Sequence, residues 1–284
     1  MNTVAETLAH AARALAPHST SPRLDAELLL GEVLGVGRPQ LIVSAKESLA
    51  EAALARYRDL IDQRMQGAPI AYLTGSREFW SMHLKITRAV LVPRPETETL
   101  VELALALVEP DRERSILDLG TGSGAIALAI ARERPRARIT GVDISPAALS
   151  VARENSRALG LPQIAWRQGS WLEAVPGERF DLVLANPPYI AAGDPALAGL
   201  AAEPALALSS GPTGLEALTA IIEAAAPHLE QGARLLLEHG SGQAREVAGL
   251  LERHGFEGVC SHRDYSGNPR VTLGTIHSQL REPS

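Results

Sequence analysis

The chain has 284 residues, of which 45% are apolar and 21% charged, with a formal net charge of −6. Such a length predicts one large domain and a smaller one, and the absence of an unbroken apolar run of roughly 18 residues argues against a membrane-spanning helix. Residues 1–90 carry 10 Lys and Arg against 9 Asp and Glu, and the remainder 17 against 24, so neither part has the basic excess expected of a grip on duplex phosphates. The N-terminus, Met1 to Ala14, lacks the basic start and apolar run of a secretory signal. Cys260 is the only cysteine. A reducing cytoplasm with no intrachain disulfide is the expectation.

In chain order, the first 75 residues read as a small helical domain. Ser21-Pro22 offers an N-cap followed by proline at the first helical position, with an apolar face of Leu24, Leu28 to Leu30 and Val33 that Gly35 closes. Ser48 to Glu51 matches a capping box, and Leu54, Tyr57, Leu60, Ile61 and Met65 recur at helical spacing behind it. Residues 76–94 shift to short extended segments, Phe79-Trp80, Leu84, Ile86 and Val90 to Val92, which predicts a hairpin linker. From 95 to 284 a second domain begins with a helix at Pro95, where Glu96 and Glu98 occupy the first turn and Leu100, Leu103 and Leu107 follow at helical spacing. Strands are then expected at 115–119, 138–142, 163–167, 180–185 and 234–238, alternating with helices. That alternation implies an α/β fold with a parallel sheet covered on both faces. Two more strands, near 259–262 and 271–275, have no convincing helix between them and read as an antiparallel edge, making seven.

Asp118-Leu119-Gly120-Thr121-Gly122-Ser123-Gly124 follows a strand and precedes the helical run from Ala125, which is where an open α/β sheet binds ligands. An ordinary tight turn needs fewer glycines. A dinucleotide site favours Gly-x-Gly-x-x-Gly, and a P-loop requires Lys before Ser or Thr where Ala125-Ile126 stands, so neither pattern is met. The next strand ends at Asp143, 23 residues after Gly120, and a carboxylate there suits the ribose hydroxyls of an adenosine-containing cofactor. After the third strand Ser170 precedes Trp171, a candidate to pack on adenine that reads nearly as well as plain core.

The fourth strand runs straight into Asn186-Pro187-Pro188-Tyr189. Two prolines stiffen the turn and leave the Asn186 side chain and the Pro187 carbonyl as acceptors at a cleft edge, a matched pair for an NH2 group. An amide or exocyclic base nitrogen is a poor nucleophile, so holding both its hydrogens orients it toward a sulfonium methyl and stabilises the charge that develops. Tyr189 is placed to pack on the planar group and exclude water. The eight histidines show no metal-ligand spacing, His239 reads as structural, and Cys260 has no visible partner; no metal is expected.

With these residues in view, the chain resembles the protein-(glutamine-N5) methyltransferases that modify the Gly-Gly-Gln loop of bacterial peptide chain release factors. The likeness also rests on Pro69 to Gly75, on Val90 to Glu98 with its Pro-Arg-Pro-Glu-Thr-Glu run, and on Arg263 to Asn268. The resemblance implies a Rossmann-like class I methyltransferase sheet and S-adenosyl-L-methionine as cofactor. It implies cofactor contacts at Gly120, Thr121, Gly122, Ser123, Gly124, Asp143, Trp171 and Asn186. Asn186, Pro187, Pro188 and Tyr189 would hold the glutamine, and the N-terminal helices would grip the release factor. Ser170 stands where many relatives carry an acidic residue. Competing readings are a ribosomal-protein glutamine methyltransferase, a DNA or RNA amine methyltransferase, which the acidic balance disfavours, a nicotinamide dehydrogenase, and a non-catalytic cofactor-binding partner.

Overall fold

Residues 3–277 are described by the computed structural model. They divide into two units, the first ending at Ser76 and the second starting at Arg77.

In the first unit, helix α1 (Val4–Leu15) opens on a capping box: the Glu6 amide donates to Thr3 Oγ1 at 3.2 Å and the Thr3 amide to Glu6 Oε2 at 3.0 Å. α2 (Pro22–Leu34) begins with its proline and ends at Gly35, whose φ of 67° is the left-handed turn a glycine cap provides. α3 (Arg38–Val43), α4 (Glu51–Met65) and the single turn α5 (Ile70–Leu73) complete the bundle. Two details of the sequence reading change. Leu24 and Leu28 are exposed, while Leu29 and Leu30 are buried as expected together with Ala26 and with Asp25, which is satisfied by Arg64 at 2.8 Å and Ser19 at 2.7 Å. Ser48 forms no cap: it bridges to Thr3, and α4 starts at Glu51 without a side-chain cap. Tyr57 and Ile61 of α4 do reach the core, where the Tyr57 hydroxyl donates to the Ala26 carbonyl at 3.0 Å.

The hairpin is shorter than expected, β1 (Ser76–Phe79) and β2 (Met82–Lys85). Its turn residues Trp80 and Ser81 both have positive φ, 51° and 52°, as a two-residue hairpin turn demands even without glycine. That conformation is held from outside. Glu98 accepts from the Trp80 amide, Glu133 from its indole N–H, and Arg132 donates to both turn carbonyls. Val90 to Val92 form no strand.

After a 3-10 turn at Pro95–Thr97 comes α6 (Glu98–Leu107). The alternating part follows as β3 (Ser115–Leu119), α7 (Ala125–Glu133), β4 (Arg138–Asp143), α8 (Pro146–Ala158), β5 (Ala165–Gln168), β6 (Phe180–Ala185), α9 (Glu216–Ala225), β7 (Leu229–Glu238), α10 (Ala244–Arg253), β8 (Phe256–Arg263) and β9 (Pro269–Ile276). Strand order is β5-β4-β3-β6-β7-β9-β8. β9 alone runs antiparallel, and it lies between β7 and β8 rather than at the edge. The chain moves outward from β3 in one direction and from β6 in the other, so the switch point lies between these two strands. Their register pairs Leu119 with Ala185, which sets Gly120 and Asn186 side by side at the carboxyl edge, and Ala185 also pairs with Leu237 of β7. Ligands of open α/β sheets bind at such a switch point. Beneath it β3, β6 and β7 bury Leu117, Leu119, Val183, Ala185, Leu235 and Leu237 in one cluster with Leu218 and Ile222 of α9. No helix among the described residues is long and apolar enough to cross a membrane.

Candidate active site

The carboxyl edge of the sheet opens into a cavity of about 490 Å³ within the second unit. The glycine loop between β3 and α7 forms its floor. Gly120, Gly122 and Gly124 all have positive φ, which explains their repetition. Gly120 and Gly122 line the cavity, and Trp171 packs its ring so close to Gly120 that an added Cβ would stand 3.2 Å from it. Gly124 lies behind the wall, where a Cβ would meet Trp166, Leu128 and Ala152 at 3.0–3.3 Å; its smallness serves helix packing. Asn155 of α8 secures the loop from below, donating to the Ser123 and Lys85 carbonyls and accepting from the Lys85 amide.

Asp143, at the end of β4, accepts from the Gly122 amide at 2.9 Å on one carboxylate oxygen and from the Ser145 amide at 2.9 Å on the other. Each oxygen keeps a lone pair for an incoming hydroxyl, and the carboxylate faces the cavity. Burial raises its pKa, opposed by those backbone donors. Asp118 is fully buried under the loop, bonded to the Thr121 hydroxyl, and burial pushes it up to about 7.

Asn186 lines the cavity and donates from Nδ2 to Thr97 Oγ1 at 3.1 Å. Among the described residues no donor bonds its Oδ1. Thr97 is buried in the 3-10 turn, and Glu238, at the end of β7, is a buried carboxyl pushed up to about 7 by that burial. Pro188 lines the cavity. The Pro187 ring is buried and the Tyr189 side chain packs against the core cluster, so the cavity is not lined by these two side chains; burial raises the Tyr189 hydroxyl to about 12. The Tyr189 carbonyl accepts from Gln243 Nε2 at 3.1 Å, which pins the far end of the tetrapeptide.

Of the residues singled out by sequence, Gly120, Thr121, Gly122, Ser123, Asp143, Ser170, Trp171, Asn186 and Pro188 thus meet on one cavity. Sequence reasoning left Thr97, Arg94 and the 190–211 loop unassigned. Arg94 lines the cavity and forms an ion pair with Glu203, which is buried and also accepts from the Val92 amide. The only signal for Arg94 and Thr97 was the Pro-Arg-Pro-Glu-Thr-Glu run itself. His239 is buried, contacting the Gly240 carbonyl and Thr272 hydroxyl, a packing role. Cys260 does have a neighbour, His262 Nε2 at 3.3 Å on the exposed strand β8, a contact that strand spacing two residues apart creates.

Residues 6–75 match the family described as PrmC N-terminal domain, and residues 97–206 match the Methyltransferase small domain. A release factor glutamine methyltransferase from Yersinia pestis is 46% identical over 90% of this chain and 93% of its own. One from Moorella thermoacetica is 44% identical over 95% and 98%. The chain belongs to the release factor glutamine methyltransferase family. Among solved structures, a T. thermophilus 16S rRNA N2 methyltransferase in complex with AdoMet and guanosine aligns with a TM-score of 0.53 at 22% identity, covering 71% of this chain and 50% of that one, a likeness of fold. The glycine loop, Asp143, Trp171, Asn186 and Thr97 all line this one cavity.

Proposed function

We propose that this cavity is where the chain transfers a methyl group from S-adenosylmethionine to the side-chain amide nitrogen of the glutamine in the Gly-Gly-Gln motif of a peptide chain release factor. The observation that carries the reading is Asn186, whose Oδ1 stands free on the wall of the cavity next to the glycine loop.

The residues fit the cofactor. Two side-chain-free positions, Gly120 and Gly122, admit close approach, Asp143 has unused acceptor capacity for ribose hydroxyls, and Trp171 offers an aromatic wall. Ser170 adds a hydroxyl to the same cavity, an acceptor that would suit an amine. When bound, the cofactor supplies an electrophilic methyl on a positively charged sulfur. The chain's own part is positioning and charge stabilisation. Asn186 Oδ1 accepts one hydrogen of the glutamine NH2 and the Pro187 carbonyl the other, which turns the nitrogen toward the methyl and favours the positive charge it acquires. No side-chain base is required, because the methylated nitrogen becomes acidic and sheds its proton to water. Tyr189 supports the tetrapeptide that presents these acceptors. The first unit recognises the body of the release factor, and the reaction belongs to the cytoplasm, where release factors act.

Incubation with labelled S-adenosylmethionine and purified release factor, followed by mass spectrometry of the Gly-Gly-Gln peptide, tests this directly. One methyl on the glutamine is expected. Label on a ribosomal protein or nucleic acid with none on the release factor would overturn the substrate assignment.

A further inference from the structure

The tetrapeptide that presents the acceptors has a mechanical weakness. Pro187 and Pro188 carry no backbone N–H, so the stretch around the Pro187 carbonyl has no donor of its own by which a neighbouring segment could fix it. The rings set φ, while the ψ angles that aim the carbonyls depend on how the two ends are held. One end is Ala185, paired to β3 and to β7. At the other, the Tyr189 carbonyl accepts from Gln243 Nε2 at 3.1 Å. Gln243 stands just before α10, and its amide is committed throughout: Oε1 accepts from the Gly240 amide at 2.8 Å, and Nε2 also donates to the Gly214 carbonyl at 3.3 Å. These partners belong to three segments at the carboxyl edge of the sheet, the end of the tetrapeptide, the turn before α9 and the turn after β7. They are packed without slack. A Cβ on Gly214, whose φ is 79°, would stand 2.5 Å from the Tyr189 carbonyl oxygen, and one on Gly240 would stand 3.0 Å from Gln243 Oε1.

We infer that Gln243 is a positioning residue, which clamps the Tyr189 carbonyl between the turn entering α9 and the turn leaving β7 and so sets the aim of the Pro187 carbonyl at the substrate amide. The argument is one of hydrogen-bond polarity. All three partners are backbone groups, whose roles as donor or acceptor cannot change, so the side chain fits in one orientation. Reversed, it would set Nε2 against an N–H and Oε1 against two carbonyl oxygens. Only an amide of this length serves: a carboxylate accepts from Gly240 and donates nothing, and a lysine or arginine donates to the carbonyls and accepts nothing. Gln243 itself stands outside the cavity, so its effect on the reaction passes through the tetrapeptide. The inference rests on the reading of Asn186 and the Pro187 carbonyl as the two acceptors of the glutamine NH2.

The test uses the full chain, with release factor methylation, cofactor affinity by calorimetry and thermal unfolding measured for each variant. Gln243→Met keeps the length and removes donors and acceptor; it is expected to lower kcat by roughly ten- to 100-fold, the scale of a small misplacement at the reacting atoms. Cofactor Kd and the KM for release factor are expected to stay within about twofold of the parent, as for an interaction that matters in the transition state. Gln243→Glu, assayed in weakly alkaline buffer where it is a carboxylate, keeps the bond to Gly240 but not the donors, and is expected to be no more active than Gln243→Met. Gly214→Ala drives a methyl group onto the same Tyr189 carbonyl and is expected to lower kcat in the same way. Combined with Gln243→Met it should cost less than it does alone, because both act on one carbonyl. Parental kcat in any of the three single variants overturns the inference. So does a cofactor Kd that weakens in step with kcat, which would make Gln243 a general brace of the sheet edge, or full multiplication of the two losses in the double variant. Should Gln243→Met not fold, Gln243→Glu runs the same cycle with Gly214→Ala. If Asn186→Ala alone retains full kcat, the reading of the site has failed, an outcome separate from the failure of Gln243.

Discussion

Asp143 is held by two backbone donors, one from the glycine loop and one from the start of α8, so its carboxylate is aimed before any ligand arrives. Preorganisation of this kind reduces the ordering that binding must otherwise supply. Asp143→Ala is therefore expected to weaken S-adenosylmethionine by about 1.5–3 kcal/mol, the range for hydrogen bonds to a charged acceptor, equivalent to roughly ten- to 150-fold in Kd. Calorimetry reads this, and an unchanged Kd would reduce Asp143 to a brace for the loop. At this scale the sequence was informative where function is local. Gly120 to Gly124, Asp143 and Asn186 are each marked by their place at a strand end. Thr97 was not, since the bond that gives it meaning joins residues 89 apart, and no local pattern encodes a partner at that distance.

Among the elements, the loop from 190 to 211 is tied through Glu203 to a segment some hundred residues earlier in the chain. It leaves the tetrapeptide by a short parallel bridge between Ile190 and Ser209, and Leu206 on it borders the cavity. Arg94 and the Val92 amide hold its Glu203, which is buried while Arg94 keeps 33% of its side chain exposed. Arg94→Met retains the stem and removes the cation, leaving a buried carboxylate with one amide donor. The loss should fall below the roughly 3–5 kcal/mol of a fully buried pair, because solvent already screens Arg94. Expected are faster hydrogen exchange across 190–211 and weaker cofactor binding; exchange indistinguishable from the parent would show that the loop is held otherwise. Here too the sequence told half the story. Val90 to Val92 read as a strand because they are apolar, but they are apolar as cavity wall and as backing for Glu203. Ser48 to Glu51 carried the letters of a capping box that Thr3 and Glu6 make, because a bridge to Thr3 holds Ser48 away from the helix. By contrast the central strands β3, β4, β6 and β7 of the second unit were legible, since each holds a short buried apolar run.

For the whole chain, the division after Ser76 leaves each unit with its own apolar cluster and the entire cavity in the second. Removing residues 1–75 is expected to leave S-adenosylmethionine binding measurable while methylation of intact release factor collapses. Turnover equal to the full chain would remove the recognition role from the first unit. The second unit also carries a pH signature. Asp118 and Glu238 are buried acids, both raised by burial to about 7, whereas unfolded carboxyls titrate near 3.8 and 4.5. Between these values the native state holds more protons than the unfolded chain, so their contribution is fully present below the unfolded pKa and is lost as pH rises toward 7. Each group gives a slope of at most about −1.4 kcal/mol per pH unit. His239 works the other way: burial lowers its pKa below 6.5, so its contribution grows as pH rises toward that value. Acids with lowered pKa, such as Asp181 beside Ser115 and Arg114, change stability only beneath this window. The raw curve therefore mixes signs, and the informative quantity is a difference between proteins. Calorimetric unfolding of the cofactor-free chain from pH 5 to 8 should show the parent losing stability relative to Glu238→Gln and to Asp118→Asn as pH rises, with the gap levelling above about 7. Parallel curves would mean that neither carboxyl keeps its proton in the fold, and that both are carboxylates throughout the physiological range.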